Sequence, residues 1–155
     1  ADLRESYIGN KHSHACTMQR CLEVLPEKKI LQVGIRSGTK EEFQFMLKKN
    51  QLVNFLPGGN NQEFKKALLP YLNSPIYLTI DLDWFDPSLL PGTGTPEPGG
   101  FFWNDFVLIL ETLKNFKIVA SDIVELSPVI DNSGVSSVVA AKVLRSLIMS
   151  VANMQ

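Results

Sequence analysis

The stretch Ile76-Tyr77-Leu78-Thr79-Ile80-Asp81-Leu82-Asp83-Trp84-Phe85-Asp86-Pro87 decides the fold. Residues 76–80 form a short run that is apolar except for Thr79, and this reads as a strand. The strand runs into Asp81 and Asp83, two carboxylates brought together at a sheet edge. Left unpaired, such carboxylates repel each other and resist ionising. A divalent cation removes the conflict, and hard oxygen ligands suit Mg, Ca or Mn. On the Asp-x-Asp pair alone, a solvated loop start or a helix cap is an equally good reading. The next residues shift that balance. Pro91-Gly92-Thr93-Gly94-Thr95-Pro96-Glu97-Pro98-Gly99-Gly100 is too irregular for a helix or a strand. Gly and Pro at this density specify a particular loop backbone. A long ordered loop directly after a carboxylate pair is usually functional.

Outward from this stretch, strands alternate with helices. Upstream, residues 17–25 read as a helix that stops at Pro26, and residues 29–35 as a strand through Ile30, Leu31, Val33 and Ile35. Thr39-Lys40-Glu41-Glu42 is a capping box, and the helix it opens carries Phe43, Met46 and Leu47 as its apolar stripe. Pro57-Gly58-Gly59-Asn60-Asn61 is a turn, and residues 62–72 read as a helix disturbed at its end by Pro70. Downstream, Asn104 can cap a helix with Phe106, Ile109, Leu110 and Leu113 on one face. Residues 117–123 read as a strand and 126–132 as a loop. The last helix, 134–151, is expected to bury Val143, Leu144, Leu147, Ile148 and Val151. This alternation argues for an α/β fold with a parallel sheet and helices on its faces. In open sheets of that kind, sites form beyond the carboxyl ends of strands. Arg36, Asp81, Asp83 and Glu125 all fall at such positions.

The bulk numbers narrow the class. A chain of 155 residues with 45% apolar and 20% charged side chains fits one globular domain, taken here as residues 1–155. The net charge of -1, with no clustered Lys or Arg, argues against a nucleic-acid binder. The most apolar stretch, 135–152, is interrupted by Lys142 and Arg145, so no membrane span is expected. Cys16 and Cys21 are too few for a disulfide scaffold, and their spacing suits neither a zinc knuckle nor a redox pair. They read as packing residues in a reducing compartment, and a cytoplasmic location is expected.

Taken together, these motifs resemble the ureohydrolase family. Asp81 to Gly100 is similar to the family signature, and the Gly92-Thr93-Gly94-Thr95-Pro96-Glu97 form resembles the agmatinase branch more than the arginase branch. The resemblance extends over essentially the whole chain. Ala1-Asp2-Leu3-Arg4 resembles the tail of an Asp-Ala-His-x-Asp-Leu-Arg motif, and Ser13-His14-Ala15 a Ser-His element. Gly34-Ile35-Arg36-Ser37-Gly38 and Asp122-Ile123-Val124-Glu125-Leu126-Ser127-Pro128 also match. Five such matches in order are specific.

The resemblance implies a three-layer α/β/α fold of the arginase type with the first strands missing. It implies Mn-dependent hydrolysis of a linear amidine, agmatine to putrescine and urea, as a step of polyamine biosynthesis. The alternatives are arginase, guanidinobutyrase or formimidoylglutamase activity, or a non-catalytic piece that packs with a partner. By resemblance, Asp81 bridges two Mn ions and Asp83 binds one of them. Asp2 binds the other and hydrogen-bonds the bridging hydroxide, which metal coordination makes available near neutral pH. Glu125 holds the guanidinium by a charge-assisted planar contact. His14 relays protons, as histidine side chains often do, and Thr95 lines the guanidinium end of the pocket. A homo-oligomer, trimer or hexamer, is implied too.

Taken singly, several of these residues have simpler readings. His14 alone would more often be a surface or packing histidine, Glu125 alone a paired carboxylate, and His12 has no family counterpart. Asp86, before a proline, reads as a turn residue, and Trp84, Phe101, Phe102 and Trp103 as packing. The sequence also departs from the family. The upstream Gly-Gly-Asp-His motif and the Asp-Ala-His that would precede Ala1 are absent, and with them every histidine ligand. The resemblance therefore implies that residues 1–155 alone are poorly soluble, bind Mn weakly and are inactive.

Overall fold

The computed structural model describes residues 1–26 and 29–152, with side chains described as far as Ser150. The chain divides into two compact units, Ala1–Asn54 and Phe55–Gln155.

In the first unit, a 3-10 turn at His14–Cys16 leads into α1, Thr17–Leu22. The helix ends three residues earlier than the sequence suggests, in turns that precede Pro26. The expected strand over 29–35 is reduced to β1, Gln32–Val33, which pairs in parallel with β2, Leu52–Val53. The pattern around β2 is too short to carry a period, and sequence reading passed over it. Between the two strands lies α2, Lys40–Lys48, opened by the expected capping box. The Thr39 hydroxyl accepts from the Glu42 N–H, and the Glu42 carboxylate accepts from the Thr39 N–H. The buried residues of α2 are Glu42 and Met46, while Leu47 is 63% exposed and lies outside the stripe predicted for it.

The second unit begins with α3, Gln62–Leu68, followed by a 3-10 turn at Leu69–Tyr71 that contains Pro70. Strand β3, Ile76–Asp81, pairs in parallel with β4, Ile118–Val124, in a register that matches Ile80 to Ile123 and Asp81 to Val124. Between them runs α4, Trp103–Leu113. Its cap is Phe102, and Asp105, at the third helical position, reaches back to accept the Phe102 N–H at 2.8 Å. Asn104, expected as the cap, instead lies within the first turn. The same Asp105 carboxylate accepts the Gly58 N–H at 2.8 Å, so one buried group secures both the helix start and the 57–61 turn.

The final helix is α5, Val135–Ala152. Leu82, Phe85, Leu90, Phe106, Leu110, Ala140, Val143 and Leu147 form the core of this unit, with Leu78, Ile80 and Ile123 against it. Each large apolar side chain so buried contributes roughly 1.5–3 kcal/mol on leaving water. Leu144 and Ile148, expected on the buried side of α5, are 49% and 58% exposed. Val151 lies beyond the residues whose side chains are described.

Among the described residues, the strands thus form two two-stranded parallel sheets, with the sequence order α/β throughout. No helix among them is long and apolar enough to cross a membrane.

Candidate active site

The candidate residues of the second unit gather where β3 and β4 end. Asp81 is the last residue of β3, and its Oδ1 accepts the Asp83 N–H at 3.0 Å. That bond turns the chain into a 3-10 turn, Leu82–Trp84, instead of extending the strand. Leu82 is fully buried in the core, leaving Asp81 and Asp83 half-buried at the strand end. The Thr95 hydroxyl donates to Asp83 Oδ2 at 3.3 Å. Next to it, a Cβ placed on Gly94 would stand 3.7 Å from Glu125 Oε2. The 92–95 loop therefore runs from the metal-type carboxylates to the carboxylate that follows β4. Glu125 has φ 65, a left-handed backbone that costs a non-glycine residue about 1–3 kcal/mol and persists mainly at functional sites.

The loop is held at both ends. At its base, Phe85 and Phe101 form a parallel bridge, and Phe101 stacks on both Trp84, at 4.1 Å, and Phe55, at 5.4 Å. Trp84 and Phe101 are thus packing residues, as expected, and Trp103 packs on Phe106 beneath Lys142. Gly100 has backbone so close to Asp86 that a Cβ would lie 2.4 Å from the Asp86 nitrogen, so no side chain fits. Asp86 is the turn residue that the sequence suggested. Its Oδ1 accepts from the Ser88 N–H and hydroxyl, and its Oδ2 from the N–H groups of Gly99 and Gly100.

At the other end, the Gly92 N–H donates to Ser136 Oγ at 2.8 Å, and the Ser127 N–H donates to the Gly92 carbonyl at 2.7 Å. Asp131 holds this corner by accepting from the Ser133 N–H, the Ser133 hydroxyl and the Ser136 N–H. Sequence reading missed Gly92, Asp131 and Ser136 as site supports. Asp131-x-Ser133-x-x-Ser136 at the start of a helix is a legible capping pattern, but its contact with Gly92 joins residues too far apart in sequence to be read.

These clamps carry a pH dependence. The Ser88 hydroxyl, then the Ser88, Gly100 and Gly99 N–H groups, hold the Asp86 carboxyl down from its ordinary 3.8 to about 2. Asp131 is lowered further still, first by the Ser133 hydroxyl and then by the Ser136 N–H. A carboxyl with a depressed folded-state pKa stabilises the fold above its unfolded value, and that contribution is lost as pH falls through the folded value. Denaturation midpoints should therefore begin to fall below pH 3.8 and keep falling toward pH 2. In Asp86→Asn that decline should be shallower, as urea titrations across this range would show. An unchanged slope would remove Asp86 from the clamp.

The first unit holds Asp2 and His14. Asp2 also has a left-handed backbone, at φ 58. Its carbonyl accepts the Gln19 N–H at 3.1 Å, and the Arg4 N–H donates to the Ala15 carbonyl at 3.2 Å. His14 is exposed in the 3-10 turn, with its ring edge-on to Tyr7 at 5.9 Å. His12 is exposed, and its N–H is taken by Asn10 Oδ1.

As donors, Asp81 and Asp83 at the end of β3 are hard oxygen ligands of the kind that suit Mn or Mg, and Asp2 in the first unit is of the same type. Among the described residues, no three His, Cys, Asp or Glu side chains form a cluster able to hold a metal ion.

Residues 1–150 match the arginase family. An agmatinase of Bacillus cereus is 34% identical over 150 residues, 96% of this chain and 51% of that protein. An N(1)-aminopropylagmatine ureohydrolase of Synechocystis is 36% identical over 132 residues, 83% of this chain and 42% of that protein. A solved structure from Clostridium difficile, provisionally assigned as an agmatinase, superposes with a TM-score of 0.86 at 44% identity, over 98% of this chain and 55% of that one. The chain spans about half the length of the curated relatives it matches.

Proposed function

This chain belongs to the arginase family, with its α/β fold, and from that premise we propose that the whole protein is an agmatinase-like ureohydrolase. It releases urea from agmatine and leaves putrescine. The observation that carries this reading is the 92–95 loop, which sets Thr95 on Asp83 and Gly94 beside Glu125 in one compact unit. A guanidinium is planar and cationic. A carboxylate such as Glu125 recognises it through charge-assisted, paired hydrogen bonds. Thr95 lines the same end of the pocket, and His14 carries the proton that the leaving amine needs.

Asp81 and Asp83 would serve as Mn ligands, and Asp2 would be a further one. When bound, a pair of Mn ions supplies Lewis acidity and lowers the pKa of a water toward neutrality. The chain's own part is to place the guanidinium carbon, through Glu125 and Thr95, beside those carboxylates. Fixing reactants in that way supplies much of the catalytic gain in reactions of this type. We further propose a cytoplasmic homo-oligomer acting in polyamine biosynthesis. Both cysteines are free, which suits a reducing compartment.

Substrate choice has one specific competitor. The relative in Synechocystis is an N(1)-aminopropylagmatine ureohydrolase, so a longer amine tail on the same guanidinium is the second reading. Urea release by the Mn-loaded whole protein from agmatine, aminopropylagmatine and arginine should rank agmatine first by kcat/KM. Preference for aminopropylagmatine would install the second reading. Preference for arginine would reject both, because the pocket would then have to bind an α-carboxylate.

A further inference from the structure

We propose that Glu42 is a positioning residue that holds Asp2, and through Arg4 and Tyr7 also His14, in their working places; this rests on the ureohydrolase reading above. In an ordinary capping box, the third-position glutamate serves only its own helix. Glu42 does that with one oxygen, accepting the Thr39 N–H on Oε2 at 2.7 Å. Its other oxygen, Oε1, accepts the Leu3 N–H at 2.8 Å, across 39 residues of sequence. The carboxylate is only 6% exposed, so both bonds are sheltered from competing water.

The Leu3 N–H belongs to the peptide that follows Asp2, and rotation about the Asp2 ψ angle moves it. Fixing that N–H therefore fixes the backbone of Asp2. Asp2 adopts a left-handed conformation, which Asp tolerates better than most residues but which its surroundings still have to hold. Three consecutive residues supply that constraint. The Asp2 carbonyl is held by Gln19, the Leu3 N–H by Glu42 and the Arg4 N–H by Ala15. The same carboxylate reaches Arg4, with Nε 3.8 Å from Oε2. The Arg4 guanidinium lies over the Tyr7 ring at 4.9 Å, and Tyr7 meets the His14 ring edge-on at 5.9 Å. One buried carboxylate thus ties helix α2 to a candidate metal ligand and, by a chain of contacts, to the candidate proton carrier.

The geometry makes Glu42→Gln informative. A glutamine presents one oxygen and one NH2 group, and the NH2 cannot accept from an N–H. The variant keeps the side chain's shape but can hold either Thr39 or Leu3, not both. Thr39→Ala is the control. It removes the hydroxyl that accepts the Glu42 N–H and so weakens the α2 cap, while leaving the Leu3 contact in place.

The test measures Mn affinity by titration, the paramagnetic resonance signature of a coupled Mn pair, and melting temperature, all on the whole protein. Glu42→Gln is expected to lose about 10- to 100-fold in Mn affinity, the usual loss when an outer partner of a metal ligand is removed, and to lose the coupled-pair signal. Thr39→Ala is expected to melt several degrees lower while keeping both the affinity and the signal. The inference is overturned if Glu42→Gln binds Mn like the unaltered protein, or if Thr39→Ala loses Mn as severely, since a weakened helix would then explain both. If the unaltered protein binds no Mn pair and releases no urea, the functional reading fails and takes this inference with it. Intact Mn binding and urea release with an indifferent Glu42→Gln overturns the inference alone.

Discussion

Asp81→Asn is expected to abolish urea release and remove most of the Mn bound by the whole protein. Asp81 Oδ1 already accepts the Asp83 N–H, and an asparagine carbonyl can take over that bond. The 3-10 turn at Leu82–Trp84 should therefore survive, as should the core around Leu82. What the substitution removes is negative charge and one anionic oxygen, the properties a metal requires. Loss of a direct ligand should cost more than about a hundredfold in activity, since changing even an outer partner of a ligand typically costs 10- to 100-fold. Elemental analysis and circular dichroism on the same sample separate the two effects. A folded variant that keeps its full complement of Mn would take Asp81 out of the metal site.

The second large effect is expected at Glu125. Glu125→Gln preserves side-chain shape, and glutamine strains no more than glutamate at φ 65, so folding and Mn content should be little changed. The loss falls on the guanidinium, which would face a neutral amide in place of a carboxylate. Removing one partner of a sheltered, hydrogen-bonded charge pair costs roughly 2–5 kcal/mol. At about 1.4 kcal/mol per tenfold, that is about 30- to 4,000-fold in kcat/KM. Steady-state urea release from agmatine measures it. A change of less than about threefold, well under the weakest charge-pair loss, would show that another group holds the substrate.

The local patterns at the candidate site were more legible in the sequence than the packing around them. Asp81, Asp83 and the Gly92–Glu97 segment could be read because a carboxylate pair and a dense Gly–Pro loop are local patterns, visible without knowing what packs against them. The parallel arrangement of β3 and β4 was equally legible, from strands alternating with helices. The misreadings of burial share one cause, which is that periodicity gives a face but not its partner. On α5 the apolar positions cover more than one face, so Leu144 and Ile148 looked as buried as Val143 and Leu147, yet the core of this unit takes only the latter pair. Leu47 on α2 was misassigned the same way. The short strands β1 and β2 are set by their pairing with each other, a non-local fact. Glu42 was legible as a helix cap, but its hold on Leu3 was not, because that bond depends on how 39 intervening residues fold. Left-handed backbone at Glu125 likewise has no signature in residue type.

The most direct test of the account is product stoichiometry. The whole protein, loaded with Mn and supplied with agmatine, should form urea and putrescine in equal amounts, with no ammonia. Ammonia in place of urea would mean that the guanidinium carbon keeps its bond to the chain nitrogen. That result, or no product at all from the Mn-loaded protein, would contradict the reading of the Asp81, Thr95 and Glu125 site as a ureohydrolase centre.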